Sequence, residues 1–247
     1  MLELISKIYS CRKKNKCLNN RVDCFYPEAF LGNLNAKFAI VGINPSGRGD
    51  LSFSSFDDYV DFCKEALDEE ELRDHIWPRG FLAAYRMLVD AEATVDDFNE
   101  NVVILNVVKC STTPSWGDLP FSAKWAKEEA KNKCKVYLIQ QLTEIQPQVI
   151  LTHGRPACDF MIDLIRKGTN YDVDSSSCDL STLAELNLQN VPDQNRLSNH
   201  WVSGTSKEGQ KTLFLFNTQL SLNQVAMHNL NLNLKEKQSL VKRFLQL

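Results

Sequence analysis

Four short apolar runs constrain this chain most: 38–43 (FAIVGI), 102–108 (VVILNVV), 148–154 (QVILTHG) and 212–217 (TLFLFN). Each is rich in β-branched or aromatic residues and too short for a helix, which marks buried strands. Helical patterns lie between them, at 56–74 and 80–93, at 123–145 and at 155–168. Strands that alternate with helices imply a parallel sheet covered on both faces. The expected fold is therefore α/β, a three-layer α/β/α sandwich around a central, mainly parallel, four-stranded sheet. We expect one domain over 1–247, with an amino-terminal cysteine-containing segment (1–34) and a polar insertion at 168–200. Rich in Ser, Asp and Asn, that insertion reads as a loop or lid.

Composition agrees with one sizeable core, since 247 residues are 43% hydrophobic and 24% charged. No run of about 18 apolar residues occurs, and the start MLELISKIYSCRKKNKC lacks the order of a secretory signal. A soluble cytoplasmic protein is the expectation. Eight cysteines in a chain of this length do not make a secreted disulfide scaffold, which leaves metal binding and reduced buried thiols. A net charge of -3 neither requires nor excludes nucleic acid. Charge is unevenly spread, however: Arg12, Lys13, Lys14 and Lys16 crowd between two cysteines, whereas 57–74 is acidic.

In doubly wound sheets, ligands sit beyond the carboxyl ends of the strands. The four runs end there in polar residues: Asn44, Asn106 with Lys109, His153, and Asn217 through Gln219. Alone, the stretch GINPSG after the first run is turn chemistry, because Asn tolerates unusual dihedrals, Pro fixes φ and Gly allows reversal. It carries neither the P-loop pattern nor the three glycines of the dinucleotide fingerprint.

Taken together, VGINPSG, ILNVVKC and CKVYLIQQLTEIQPQVILTHGRPA resemble the uracil-DNA glycosylase superfamily, closest to its iron-sulfur (family 4-like) branch. In that superfamily the first strand ends in G-x-N-P or G-E-x-P-G, whose polar residue positions the attacking water. The resemblance implies this role for Asn44. NVVKC is similar to the branch's second block, so Asn106 falls on the residue that reads the flipped pyrimidine. Stacking on that base is expected from an aromatic after the first motif, and Phe53, Phe56 and Phe81 all qualify. The branch uses four cysteines; Cys110 and Cys134 match two of them, and Cys11 and Cys17, spaced C-x5-C instead of C-x-x-C, are the favoured remainder. All-thiolate ligation suits a 4Fe-4S cluster and also zinc. Cys63, Cys158 and Cys178 read as buried, reduced thiols.

The last motif departs from the pattern. Members usually follow the fourth strand with H-P-S-P, whereas this chain has TQLSLNQVAMHN. Gln219 stands where the His is sought, with Ser221 matching the Ser, Leu220 as a wedge into the duplex and His228 as a substitute from the same loop. Such an enzyme takes the base out of the stack, at roughly a few kcal/mol, and reads it in a pocket. Negative charge then grows on the leaving base, where donors such as the Gln219 amide would lower the barrier. Asn44, which does not titrate, would orient water toward the sugar carbon. No lysine is placed as a Schiff-base nucleophile, so a monofunctional glycosylase is expected, with DNA as partner and the protein a monomer. Lys109, Arg155 and the basic run at 12–16 are the candidate phosphate contacts. The altered last motif leaves the base open between uracil and a modified cytosine such as those of phage DNA, the latter implying antiviral defence. A catalytically silent DNA-binding module and a zinc-stapled nucleotide-binding protein are the alternatives.

Overall fold

A computed structural model of the chain describes residues 1–14, 23–43, 51–65, 76–113, 124–188, 198–217 and 233–247. Its elements are α1 (Leu2–Lys14), β1 (Asp23–Pro27), β2 (Leu31–Gly32), β3 (Phe38–Gly42), α2 (Phe56–Glu65), α3 (Ile76–Leu88), α4 (Val95–Asn101), β4 (Val102–Asn106) and β5 (Cys110–Thr113). They continue with α5 (Lys124–Ile145), β6 (Val149–Thr152), α6 (Arg155–Arg166), β7 (Tyr171–Ser176), α7 (Leu180–Leu188), β8 (Trp201–Ser206), β9 (Lys211–Leu215) and α8 (Leu234–Leu245).

All four predicted strands are present, as β3, β4, β6 and β9, and they pair in parallel in the order β4-β3-β6-β9. The sheet is larger than the four strands expected, with seven in the order β2-β4-β3-β6-β9-β8-β7. The added strands β2, β8 and β7 are antiparallel to their neighbours. A separate two-stranded ribbon pairs β1 with β5. Part of the stretch read as a loop at 168–200 is regular: it holds β7 and α7, and β7 pairs with β8.

Side chains alternate across the central strands, as the pleat requires. Ala39, Val41, Val103, Leu105, Ile150 and Phe214 face one core, filled by Leu4, Ile5 and Ile8 of α1, Tyr59 and Val60 of α2, Leu138 and Leu142 of α5, and Met161, Ile162 and Ile165 of α6. Phe38, Ile40, Ile104, Leu151, Leu213 and Leu215 face the other, with Phe81, Tyr85 and Leu88 of α3, Phe98 of α4, and Leu240 and Val241 of α8. Strands buried on both faces read as continuous apolar runs for this reason. Among the described residues, no helix is long and apolar enough to cross a membrane.

Candidate active site

The strand order determines where a ligand fits. From β3 the chain proceeds to β4 on one side, while from β6 it proceeds to β9 on the other. Connections leaving β3 and β6 diverge, and in doubly wound sheets a ligand is expected at the carboxyl ends of such a pair. Gly42, Asn106 and His153 meet there.

Asn106 ends β4 and is only 4% exposed. Its Nδ2 donates to Oε1 of Glu28 at 3.1 Å. Its Oδ1 lies over Gly42, so closely that a Cβ there would stand 2.8 Å from it. Beyond the strands, Val107 N–H donates to the Gly42 carbonyl at 2.9 Å and Val108 N–H to that of Ile43 at 2.7 Å. The backbone after Asn106 thus runs beside the start of the first motif. Asn44 itself lies outside the described residues, as do Cys17, Gln219, Leu220, Ser221 and His228.

His153 follows β6 and is tied to β3 by its N–H, which donates to the Val41 carbonyl at 2.7 Å. Its Cδ2 would stand 3.9 Å from a Cβ at Gly42. The ring meets that of Phe81 edge-on, with centroids 5.2 Å apart. Burial pushes the imidazole down to about 4, so the ring is neutral at pH 7. Of the three phenylalanines singled out by sequence, Phe81 is the one that meets His153. Phe53 instead packs on Tyr59 and Phe62, and Phe56 on Tyr9 and Tyr59.

Glu28, which sequence reasoning missed, is 2% exposed. Its only sequence signal is a lone acidic residue in an otherwise apolar stretch, YPEAFLG. Lys109 is buried too, with Nζ donating to Oε1 of Gln141, so it is not the surface phosphate contact expected. Burial lowers its ammonium to about 7, while Cys134 and Glu28 act in the opposite direction. Arg155 opens α6 and is partly exposed.

Of the proposed metal ligands, Cys11 lies on α1, Cys110 starts β5 and Cys134 lies on α5. Cys134 is buried, and Cys11 and Cys110 are partly so. Burial raises the Cys134 thiol; the Lys109 backbone N–H and charge oppose this, and Cys11 adds to it. All-thiol donor chemistry suits a cluster or zinc, yet among the described residues no three His, Cys, Asp or Glu side chains gather as a metal site. Cys63 and Cys158 are buried thiols, each pushed up to about 12 by burial, and Cys178 is partly exposed.

Comparison with known proteins bears on this arrangement. The sequence model of the Uracil DNA glycosylase superfamily matches residues 29–217. A Type-4 uracil-DNA glycosylase of Archaeoglobus fulgidus is 27% identical over 162 residues, 66% of this chain. The match spans 63% of the length of that relative. With the match running from the residue after Glu28 through all four parallel strands, the chain belongs to the uracil DNA glycosylase superfamily.

Proposed function

We propose that the protein is a monofunctional DNA glycosylase that hydrolyses the N-glycosidic bond of a flipped-out pyrimidine, uracil or a modified cytosine, and leaves an abasic site. The observation that carries this reading is the amide of Asn106, buried at a strand end and held between Glu28 and Gly42. An amide offers a donor and acceptors, which suits the edge of a pyrimidine. Phe81, whose ring meets His153, is the proposed stacking residue. Asn44, two residues past Gly42, would orient the water, and donors after β9, Gln219 or His228, would receive the charge of the departing base. Neutral His153 cannot supply a full positive charge, though a ring N–H can still donate a hydrogen bond.

A 4Fe-4S cluster on Cys11, Cys17, Cys110 and Cys134, or zinc in its place, belongs to the same reading. Bound there, the metal would tie α1 to β5 and α5, and the chemistry above does not pass through it. The proposed setting is cytoplasmic, with DNA as the partner and a monomer as the working form.

The test is an abasic-site assay on uracil-containing DNA, unmodified DNA and phage DNA with modified cytosines, using wild type, Asn44→Ala and Asn106→Ala. Alkali-labile sites in one modified substrate, lost in both variants, support the proposal. DNA binding without any abasic site favours the silent binding module, which the departure of QLSL at 219–222 from H-P-S-P would explain.

A further inference from the structure

Building on the glycosylase reading, we infer that Glu28 is a specificity-determining residue: it fixes which way round the Asn106 amide stands, and so which order of donor and acceptor a pyrimidine must present. An asparagine amide has two faces of nearly equal shape, and a free one can turn over to offer either order. A 2,4-dioxopyrimidine presents N–H at position 3 and a carbonyl at position 4. A 4-aminopyrimidine presents the reverse, an acceptor at position 3 and N–H at position 4. A reader that can turn over accepts both.

Asn106 is restrained from both sides. The Glu28 carboxylate accepts hydrogen bonds and, when ionised, cannot donate, so the atom facing it at 3.1 Å is Nδ2. Turning the amide over would set Oδ1 against a carboxylate oxygen, two acceptors at contact in a buried site. On the opposite side, Oδ1 fills space that exists because residue 42 has no side chain.

Glu28 is itself rigidly presented, although it lies between strands. Its N–H donates to the Lys109 carbonyl at 2.7 Å. The next residue, Ala29, donates its N–H to the Tyr59 hydroxyl at 2.7 Å and accepts from Gln141 Nε2 at 2.7 Å. The residue before, Pro27, accepts from the Tyr59 hydroxyl at 2.8 Å. Residues 27–29 are thus pinned by α2, by α5 and by the segment after β4. Such anchoring holds a positioning group to the tolerance that bidentate reading requires.

Glu28→Gln keeps the shape and hydrogen bonding but can face Asn106 with either its carbonyl or its amide, which frees Asn106 to turn. On DNAs carrying one uracil, one cytosine or one 5-substituted cytosine, the ratio of release rates between the two pyrimidine classes should fall at least about tenfold in Glu28→Gln, whichever class the wild type prefers. Glu28→Asp, still acceptor-only, should keep the direction of the preference with slower release. An unchanged ratio in Glu28→Gln overturns the inference. The amide proton spectrum of Asn106, identified by its loss in Asn106→Ala, tests the restraint without turnover. Two resolved Nδ2 protons, one shifted downfield, are expected in the wild type, with that shift lost in Glu28→Gln; identical spectra overturn it. A wild type that releases no base from any DNA defeats the glycosylase reading instead, while the spectrum still reports on the restraint.

Discussion

Gly42 lacks a side chain where Asn106 needs the room. Alanine there would put its Cβ 2.8 Å from Oδ1, and Asn106 cannot simply yield because Nδ2 is bonded to Glu28. Gly42→Ala should therefore slow base release by at least about tenfold and destabilise the fold by about 1–3 kcal/mol, the usual range for overpacking. Release assays with chemical denaturation check both; full activity would mean that Asn106 does not read the base. His153 makes a second prediction, on acidity. Burial holds its ring at about 4 against an ordinary 6.5. Between those values the unfolded chain binds a proton that the native one refuses, so stability is present above pH 6.5 and declines as pH falls toward 4. The loss has a ceiling of about 3 kcal/mol, reduced by the solvent contact the ring retains. Urea midpoints at pH 7 and pH 5 should differ less in His153→Gln than in wild type.

At the level of elements, the parallel strands were legible because burial on both faces leaves apolar residues throughout β3 and at all but the last position of β4 and β6. Of their polar terminal residues, Asn106 is buried against Glu28 and Gly42. What sequence could not give was β7, whose residues YDVDSS are mostly exposed and alternate apolar with polar only over Tyr171 to Asp174. Its one buried anchor, Tyr171, meets Phe214 of β9 edge-on at 4.9 Å. That contact crosses β8 and joins the antiparallel extension to the parallel core. Phe214→Ala should cost about 3–5 kcal/mol by denaturant unfolding, as truncations of buried aromatics do. A loss under about 1 kcal/mol would show that the extension packs independently of β9.

For the molecule as a whole, Glu28 was illegible for a different reason: its partners come from distant elements, and a single carboxylate in an apolar stretch has no spacing to read. Lys109 was misjudged likewise, since a lysine beside a strand end looks like a phosphate contact until its Nζ is found on Gln141 inside the fold. The cysteines have spacing, yet three elements must converge to make them a site. Protein purified without oxygen should be brown with absorbance near ~400 nm if a cluster is bound, and Cys134→Ser should lose the colour and the iron together. Colourless protein containing zinc would assign the thiols to that metal instead.

The outer strand of the extension has one more effect. β7 closes the seven-stranded sheet on its far side, where backbone amides and carbonyls would otherwise invite a strand from another chain. Its pairing with β8 shifts register between Val173 and Ser175, and Asp172 and Asp174 flank an exposed Val173. An irregular, acidic border is a poor template for intermolecular pairing. Straightening that border while removing its carboxylates should therefore make the chain more prone to edge-to-edge association.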